Sequence, residues 1–219
     1  VQTCALPILM GGGSYSNDGD FSGNHGDQDF WIIKTDGMGT VQWQRSLGGS
    51  GLDVCYGIRE NSAQEILACG STASFDGNST GNHGNSDCLV IKLSASGNLL
   101  WSTCFGGSNM DAALSMTGNA SGQYLISGYS RSSDGDVTDN RGFTDGWSFL
   151  IDESGILLQQ VTFGGSGAEA VYTAIATRDG GYLLALGSSS NDWEVSNNHG
   201  IDRKSTRLNS SHTVISYAV

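Results

Sequence analysis

A unit of 58 residues recurs through this chain without a gap, and that period limits the possible folds more than any other feature. A large apolar residue followed by two glycines occurs at Leu47-Gly48-Gly49, Phe105-Gly106-Gly107 and Phe163-Gly164-Gly165. Asn-His-Gly occurs at Asn24-His25-Gly26, Asn82-His83-Gly84 and Asn198-His199-Gly200, with Asn140-Arg141-Gly142 in the remaining slot. A fixed period of this size marks stacked supersecondary units, each too small to bury its own apolar face.

Four short runs per unit have strand character: 30–34, 41–47, 54–60 and 65–71 in the first full copy. They are rich in β-branched and aromatic residues and bounded by Gly, Asn, Asp and Ser. Tight turns join the first run to the second (35–39, 94–98, 152–155) and the third to the fourth (61–64, 119–122, 178–181). Glycine in these turns supplies the positive φ a short hairpin needs. No segment keeps a helical period. The chain is therefore expected to be all-β: an open β-propeller fragment of about three four-stranded antiparallel blades, at 28–74, 86–132 and 144–190. Residues 9–27 would hold the end of a preceding blade and a loop, and residues after 190 the start of the next loop. A parallel β-helix is the rival, but its coils are shorter and lack tight hairpins. Trp31, Leu89 and Trp147 share one slot of the repeat, as do Leu47, Phe105 and Phe163, and Ile66, Tyr124 and Tyr182. Such slots read as sheet-on-sheet packing, and so do Trp43 and Trp101.

The ends depart from the repeat. Residues 202–212 back-translate to a sequence that resembles a short-read library adapter, and 215–219 resemble its continuation after a gap as wide as a sample index. Residues 1–8 back-translate to the complementary strand of the same oligonucleotide. Segments 1–8 and 202–219 are thus expected to be adapter-derived and are set aside from the fold. The 193 residues from 9 to 201 carry seven basic and 21 acidic side chains, a net charge of −14. That surface repels nucleic acid and anionic membranes and attracts cations. No apolar run approaches the roughly 20 residues of a membrane span, so membrane insertion is not expected.

Within that region Cys55, Cys69, Cys88 and Cys104 do not recur at the 58-residue step, which excludes a metal framework built once per repeat. Cys55 with Cys69, and Cys88 with Cys104, flank hairpin turns. They read either as small buried apolar residues or as cross-strand disulfides of an oxidising compartment.

The long polar loops fall at one end of the blades, so function is expected on that face. In the first loop Asp18, Asp20, Ser22, Asn24 and Asp29 stand at positions 1, 3, 5, 7 and 12. The later copies have Asp76, Asn78, Thr80, Asn82 and Asp87, then Asp134, Asp136, Thr138, Asn140 and Asp145. Alternating hard oxygen donors on a bent loop suit Ca²⁺, and the spacing echoes the EF-hand loop, although strands flank it and Asp replaces Glu at position 12. The alternative is that Asp, Asn, Ser and Gly simply build the turns and cap each other's backbone groups. The fourth copy, from Asp192 through Asn198, is cut off before position 12. His25, His83 and His199 lie in these loops one per blade, too far apart for zinc, and read as turn-stabilising. Asp53, Asp111 and Glu169 follow the double glycines and read as backbone anchors or as ligand contacts. No Ser–His–Asp order, phosphate loop or metalloprotease helix is present.

The repeat resembles the family of secreted Bacteroidetes-type β-propeller proteins, through residues 48–53, 179–182 and 16–26. The resemblance covers residues 9–201 and implies secretion or cell-surface display within a longer protein that supplies the remaining blades, since propellers close with about 4–8. It implies no single activity, and Arg141 and Trp193-Glu194 depart from the family pattern. A non-catalytic scaffold or adhesion segment that binds glycan or protein on its long-loop face is expected. The alternative is part of a polysaccharide-acting or sialidase-like propeller with its catalytic residues elsewhere.

Overall fold

A computed structural model describes residues 7–119, 121–193 and the strand Val214–Tyr217. Among the described residues fourteen strands form: β1 (Leu9–Ser14), β2 (Asp29–Thr35), β3 (Val41–Leu47), β4 (Asp53–Glu60), β5 (Ile66–Thr72), β6 (Asp87–Leu93), β7 (Leu99–Phe105), β8 (Asp111–Gly118), β9 (Tyr124–Ser130), β10 (Asp145–Ile151), β11 (Leu157–Phe163), β12 (Glu169–Ala176), β13 (Tyr182–Ser188) and β14 (Val214–Tyr217). A single 3₁₀ turn, Gly77–Ser79, is the one helical element among the described residues. No helix there is long and apolar enough to cross a membrane.

The strands form antiparallel sheets β1-β2-β3, β4-β5-β6-β7, β8-β9-β10-β11 and β12-β13-β14. β4 packs on β8 and β8 on β12, while the fourth strands splay apart. The sheets therefore fan about a common edge, as blades do, and the run stays open. The expected strands are present, but the expected blades 28–74, 86–132 and 144–190 are out of phase with the sheets by two strands. β5 pairs with β6 along its full length, from Ile66↔Leu93 to Thr72↔Asp87, whereas β3 and β4 belong to different sheets. The double-glycine segments are thus the links between sheets. Five residues at about 3.3–3.6 Å each carry the chain from β3 past the start of β2 into β4. Parallel bridges Gln28↔Leu52, Ser86↔Met110 and Thr144↔Ala168 stitch each crossing.

Burial follows from the fan. Every residue of β6 is buried, because a sheet covers each of its faces, and its sequence reads as a nearly continuous apolar run. On β5, Ile66 and Ala68 enter the core shared with the first sheet, and Leu67 and Cys69 enter the core shared with the third. Phe105, Trp147 and Phe149 fill the second interface, and Phe163, Tyr182 and Leu184 the last. Each such side chain contributes roughly 1.5–3 kcal/mol by leaving water. Trp31 is only half-buried, on a face with no described sheet over it. Phe21 packs on its ring at 4.3 Å, and its indole N–H donates to Gln44. The four cysteines among the described residues are buried free thiols; Cys55 lies opposite Gly70 and Cys88 opposite Phe105, so neither hairpin pair is in direct register.

The outer edges are clasped as well. The Trp43 indole N–H donates to Ala95 O, and its ring covers the glycine of the 94–98 turn, where Gly97 holds φ +77°. Trp101 repeats the contact one unit on, with Glu153 O and Gly155. Lys92 adds an ion pair to Glu153 across the same interface. Bulges recur on the inner strands at Tyr56, Leu114 and Tyr172, each skipped in the register with the next strand.

Of the flanks expected to be adapter-derived, residues 1–6 and most of 202–219 lie outside the described residues. Val214–Tyr217 pairs with β13, Ala185↔Val214 to Tyr182↔Tyr217, in the place β6 and β10 hold beside β5 and β9.

Candidate functional site

Both sets of long segments meet at one end of the sheets: the links 48–52, 106–110 and 164–168, and the loops 15–28, 73–86 and 131–144 inside each sheet. Their chemistry is the same at each junction. Asp53 is fully buried; its Oδ2 accepts from Gly49 N at 2.8 Å and from Ser74 Oγ at 2.8 Å. Asp111 Oδ2 accepts from Gly107 N and Ser132 Oγ, both at 2.8 Å, and its Oδ1 accepts from Ser130 Oγ. Glu169 does the same for Gly165 N at 2.9 Å and Ser190 Oγ at 2.7 Å. These three acids are backbone anchors. The serines that complete the anchor were not singled out by sequence reasoning. Their signal was available, since Ser16, Ser74, Ser132 and Ser190 recur at the 58-residue step.

The candidate calcium ligands take different roles. At position 1 the backbone carbonyls of Asp18, Asp76 and Asp134 accept from Phe21 N, Ser79 N and Val137 N, and in the later two copies the side chain also accepts, Asp76 Oδ1 from Ser50 N at 2.7 Å and Asp134 Oδ1 from Ser108 N at 2.8 Å. The bond from Ser108 N holds the Asp134 carboxyl below its ordinary value. At position 3, Asn78 accepts from Gly48 N at 3.2 Å and Asp136 from Gly106 N at 3.1 Å; Asp20 is exposed. At position 5, Ser22 and Thr138 accept from the glutamine amides of Gln44 and Gln160, and Thr80 donates to Gly77 O. At position 7, Asn24, Asn82 and Asn140 donate to the carbonyls of Ser14, Ser74 and Ser130 and accept from the glycine two residues on.

Position 12 stands apart. Asp29, Asp87 and Asp145 are fully buried at the starts of β2, β6 and β10. Asp29 Oδ2 and Asp87 Oδ2 each take a 2.7 Å contact from Nδ1 of His25 or His83 and a bond from the same histidine's backbone N–H at 3.0 Å. Arg141 N serves Asp145 at 3.1 Å. In all three the Oδ1 is buried without a hydrogen-bond partner. That oxygen lies close to the anchor acid: a Cβ on Gly106 would sit 2.7 Å from Asp87 Oδ1 and 2.6 Å from Asp111 Oδ2. The first glycine of each pair is thus required by the close approach of two carboxylates. Burial pushes the Asp87 carboxyl up; His83 opposes the shift and Asp111 adds to it. Burial likewise raises Asp145, opposed by Arg141 N–H and reinforced by Glu169. The structure therefore joins positions 1 and 3 of the second and third loops to the neighbouring link, and position 12 to the anchor acid. His199 and the fourth loop beyond Trp193 lie outside the described residues.

Tyr129 is the lone tyrosine at its slot, but burial, then the nearby Tyr56 phenol, raises its pKa, so it stays protonated near neutrality.

No family model matches this chain, and no curated protein does. Among solved structures it is similar to a protein of unknown function from Bacteroides caccae, at 13% identity and a TM-score of 0.44, covering 73% of this chain and 48% of that one. It is also similar to BamB from Moraxella catarrhalis, at 14% identity and a TM-score of 0.33, covering 72% and 50%. The chain spans about half the length of these structures.

Proposed function

We propose that this segment is a non-catalytic scaffold and binding stretch of a larger secreted or cell-surface protein, with a glycan or protein ligand on the long-loop face. One observation carries the reading. Asp53, Asp76, Asp111, Asp134 and Glu169 recur with the repeat on that face and are occupied with backbone N–H groups and serine hydroxyls at the sheet junctions. Repeated anchoring of this kind builds an architecture; chemistry on a substrate needs a group left to reach it. The test is to incubate the protein with soluble polysaccharides and a chromogenic sialoside. Binding without release of reducing ends or chromophore is expected. Release that stops when one carboxylate is neutralised would overturn the reading in favour of the polysaccharide-acting or sialidase-like enzyme. Surface display is checked by protease shaving of intact cells. The proposal concerns residues 9–201, and the adapter origin of 1–8 and 202–219 is checked by sequencing the genomic locus.

Calcium is a second proposal, favoured by the unpartnered Oδ1 of Asp29, Asp87 and Asp145. A cation there would draw on these oxygens, and the oxygens at positions 1 and 3 would have to give up their present N–H partners to join it. Calorimetric titration with Ca²⁺ decides the matter: heat and a raised melting temperature are expected, and the absence of both removes the ion.

A further inference from the structure

The long-loop face repeats itself closely apart from single exposed rings at Tyr15 and Phe75 and a group of four departures where the third and fourth copies meet. Arg141 stands where other copies have His25, His83 and His199, and Phe143 where they have Asp27, Asn85 and Ile201. Arg131 stands where they have Tyr15, Ala73 and Ser189, and Trp193 replaces Gly19, Gly77 and Gly135. These four departures assemble into two matched pairs. The Arg131 guanidinium lies 4.4 Å over the Phe143 ring and is oriented by Thr144 Oγ1 at 3.1 Å; that of Arg141 lies 5.1 Å over Trp193. One link holds both pairs: Phe143 N donates to Gly167 O, and Ser166 N donates to Asp192 Oδ1. Phe143 is 66% and Trp193 68% exposed.

Trp193 also breaks a local rule. Its φ is +54°, in the left-handed region that Gly19, Gly77 and Gly135 occupy at the same slot with φ of +62°, +62° and +64°. A bulky side chain is strained there, and it gains no burial in return. A strained backbone under an exposed aromatic points to a contact made outside the chain.

We propose that Phe143, Trp193, Arg131 and Arg141 form a binding site for a neutral glycan, an inference that rests on the binding role proposed above and names its ligand. A pyranose ring has an apolar C–H face and a rim of hydroxyls. The exposed sides of the two rings suit the face, and guanidinium donors suit the rim, where a hydroxyl also donates to a carboxylate. Asp139 and Asp192 adjoin the two pairs in the chain and are carboxylates of that kind. These two carboxylates match the two arginines in number, so the patch has no net positive charge to hold a polyanion. Four side chains are also far fewer than the roughly 20–30 residues a side of a stable protein interface.

The test is native affinity electrophoresis of the 219-residue chain in gels containing hydroxyethylcellulose, xyloglucan, galactomannan or dextran, with polygalacturonate and dextran sulfate as anionic arms. At least one neutral polysaccharide should retard the chain. Trp193→Gly, which restores the residue of the other copies, should weaken that retardation by about tenfold or more, and Phe143→Asn should reduce it. The melting temperature of Trp193→Gly should stay level or rise by up to about 4 °C. Several outcomes overturn the proposal: no retardation by any neutral glycan, retardation by the polyanions alone, retardation unchanged in Trp193→Gly, or a melting temperature lowered by that substitution, which would make Trp193 a packing residue. Absence of both retardation and hydrolysis would remove the glycan site and leave the scaffold standing, whereas release of reducing ends would remove the scaffold reading itself.

Discussion

Asp111→Ala removes one carboxylate from the middle of the run, and its effect can be worked from the bonds it makes. Asp111 is fully buried and accepts from Gly107 N, Ser132 Oγ and Ser130 Oγ. Truncation leaves three donors without their acceptor. A buried donor left unsatisfied costs about 1–3 kcal/mol, and the two hydroxyls can turn elsewhere, so the low end applies and the sum is about 3 kcal/mol. Some of this is returned, because removing Asp111 relieves repulsion on Asp87. The return is small: burial, not Asp111, is the first cause of the Asp87 shift. A net loss of about 2–3 kcal/mol corresponds to roughly 4–12 °C in melting temperature for a chain of this size. Asp111→Asn keeps one acceptor oxygen and should lose about half as much. Asp53→Ala, which breaks the equivalent bonds to Gly49 and Ser74, should match Asp111→Ala. Repeat arrays open locally, so amide hydrogen exchange at Gly107 is the sharper readout and should accelerate before that of β8. Exchange at Gly107 as slow as in the parent, with a melting temperature within about 1 °C, would refute the anchoring role.

Stability should have an acid optimum when measured in the presence of a chelator. Burial raises the Asp87 and Asp145 carboxyls, so the folded state binds those protons more tightly, and stability is gained as pH falls through the raised values. Asp36, Asp134, Asp179, Asp192 and Glu65 are held below their ordinary values by hydrogen bonds; their contribution is present above the unfolded carboxylate pKa and is lost as pH falls through the lowered values. The melting temperature should therefore rise on mild acidification from neutrality and fall at lower pH, and Asp87→Asn should shrink the rise; a steady fall from neutrality would contradict this. The thiols of Cys55 and Cys104 are pushed up to about 12 by burial, and those of Cys69 and Cys88 well above their ordinary value. In a Cys4→Ser variant an aromatic disulfide reagent should leave all four untouched until urea is added, and prompt reaction in the folded protein would count against the packing described. Deleting residues 202–219 uncovers the β13 edge from Tyr182 to Ala185, and an unpaired edge recruits other chains. Light scattering should show a larger particle for the truncated chain, and an unchanged mass would mean that β14 does not cover that edge.

The strands, their tight turns and the end that bears the long loops were legible because each is written locally. Asp152 shows why: its Oδ1 accepts from Ser154 N and Ile156 N, a contact settled within five residues. The grouping of strands into sheets was not legible. The link 48–52 is short and the loop 73–86 long, and short connections ordinarily join hydrogen-bonded neighbours. Here the short link crosses between sheets because Asp53, Asp76 and Ser74 hold its N–H groups, a set of contacts spread over 29 residues of sequence. The same contacts explain why the calcium-like spacing is not decisive. Alternating oxygens on a glycine-rich loop satisfy peptide N–H groups as readily as they surround a cation, and spacing alone does not say which donor meets them.

The distinction that remains is between features repeated in every copy and features found in one. Each junction brings two buried acids together, Asp87 beside Asp111 and Asp145 beside Glu169. Like charges so placed are unfavourable, yet the arrangement recurs, so it belongs to how the sheets are joined. A left-handed non-glycine residue is also unfavourable, at about 1–2 kcal/mol, and it occurs at Gln64, Asp139 and Trp193. Gln64 lies in a tight turn at the opposite end, where a flexible polar side chain meets water. Asp139 and Trp193 both fall on the long-loop face of the last two copies, beside Arg141. At the Trp193 slot selection for folding alone would favour glycine, as in Gly19, Gly77 and Gly135; Asp139 carries less strain, since Asp tolerates this region and Asn197 takes the same slot. The retained strain therefore locates the place where this face has diverged from its own repeat, and that is where a ligand should be sought first.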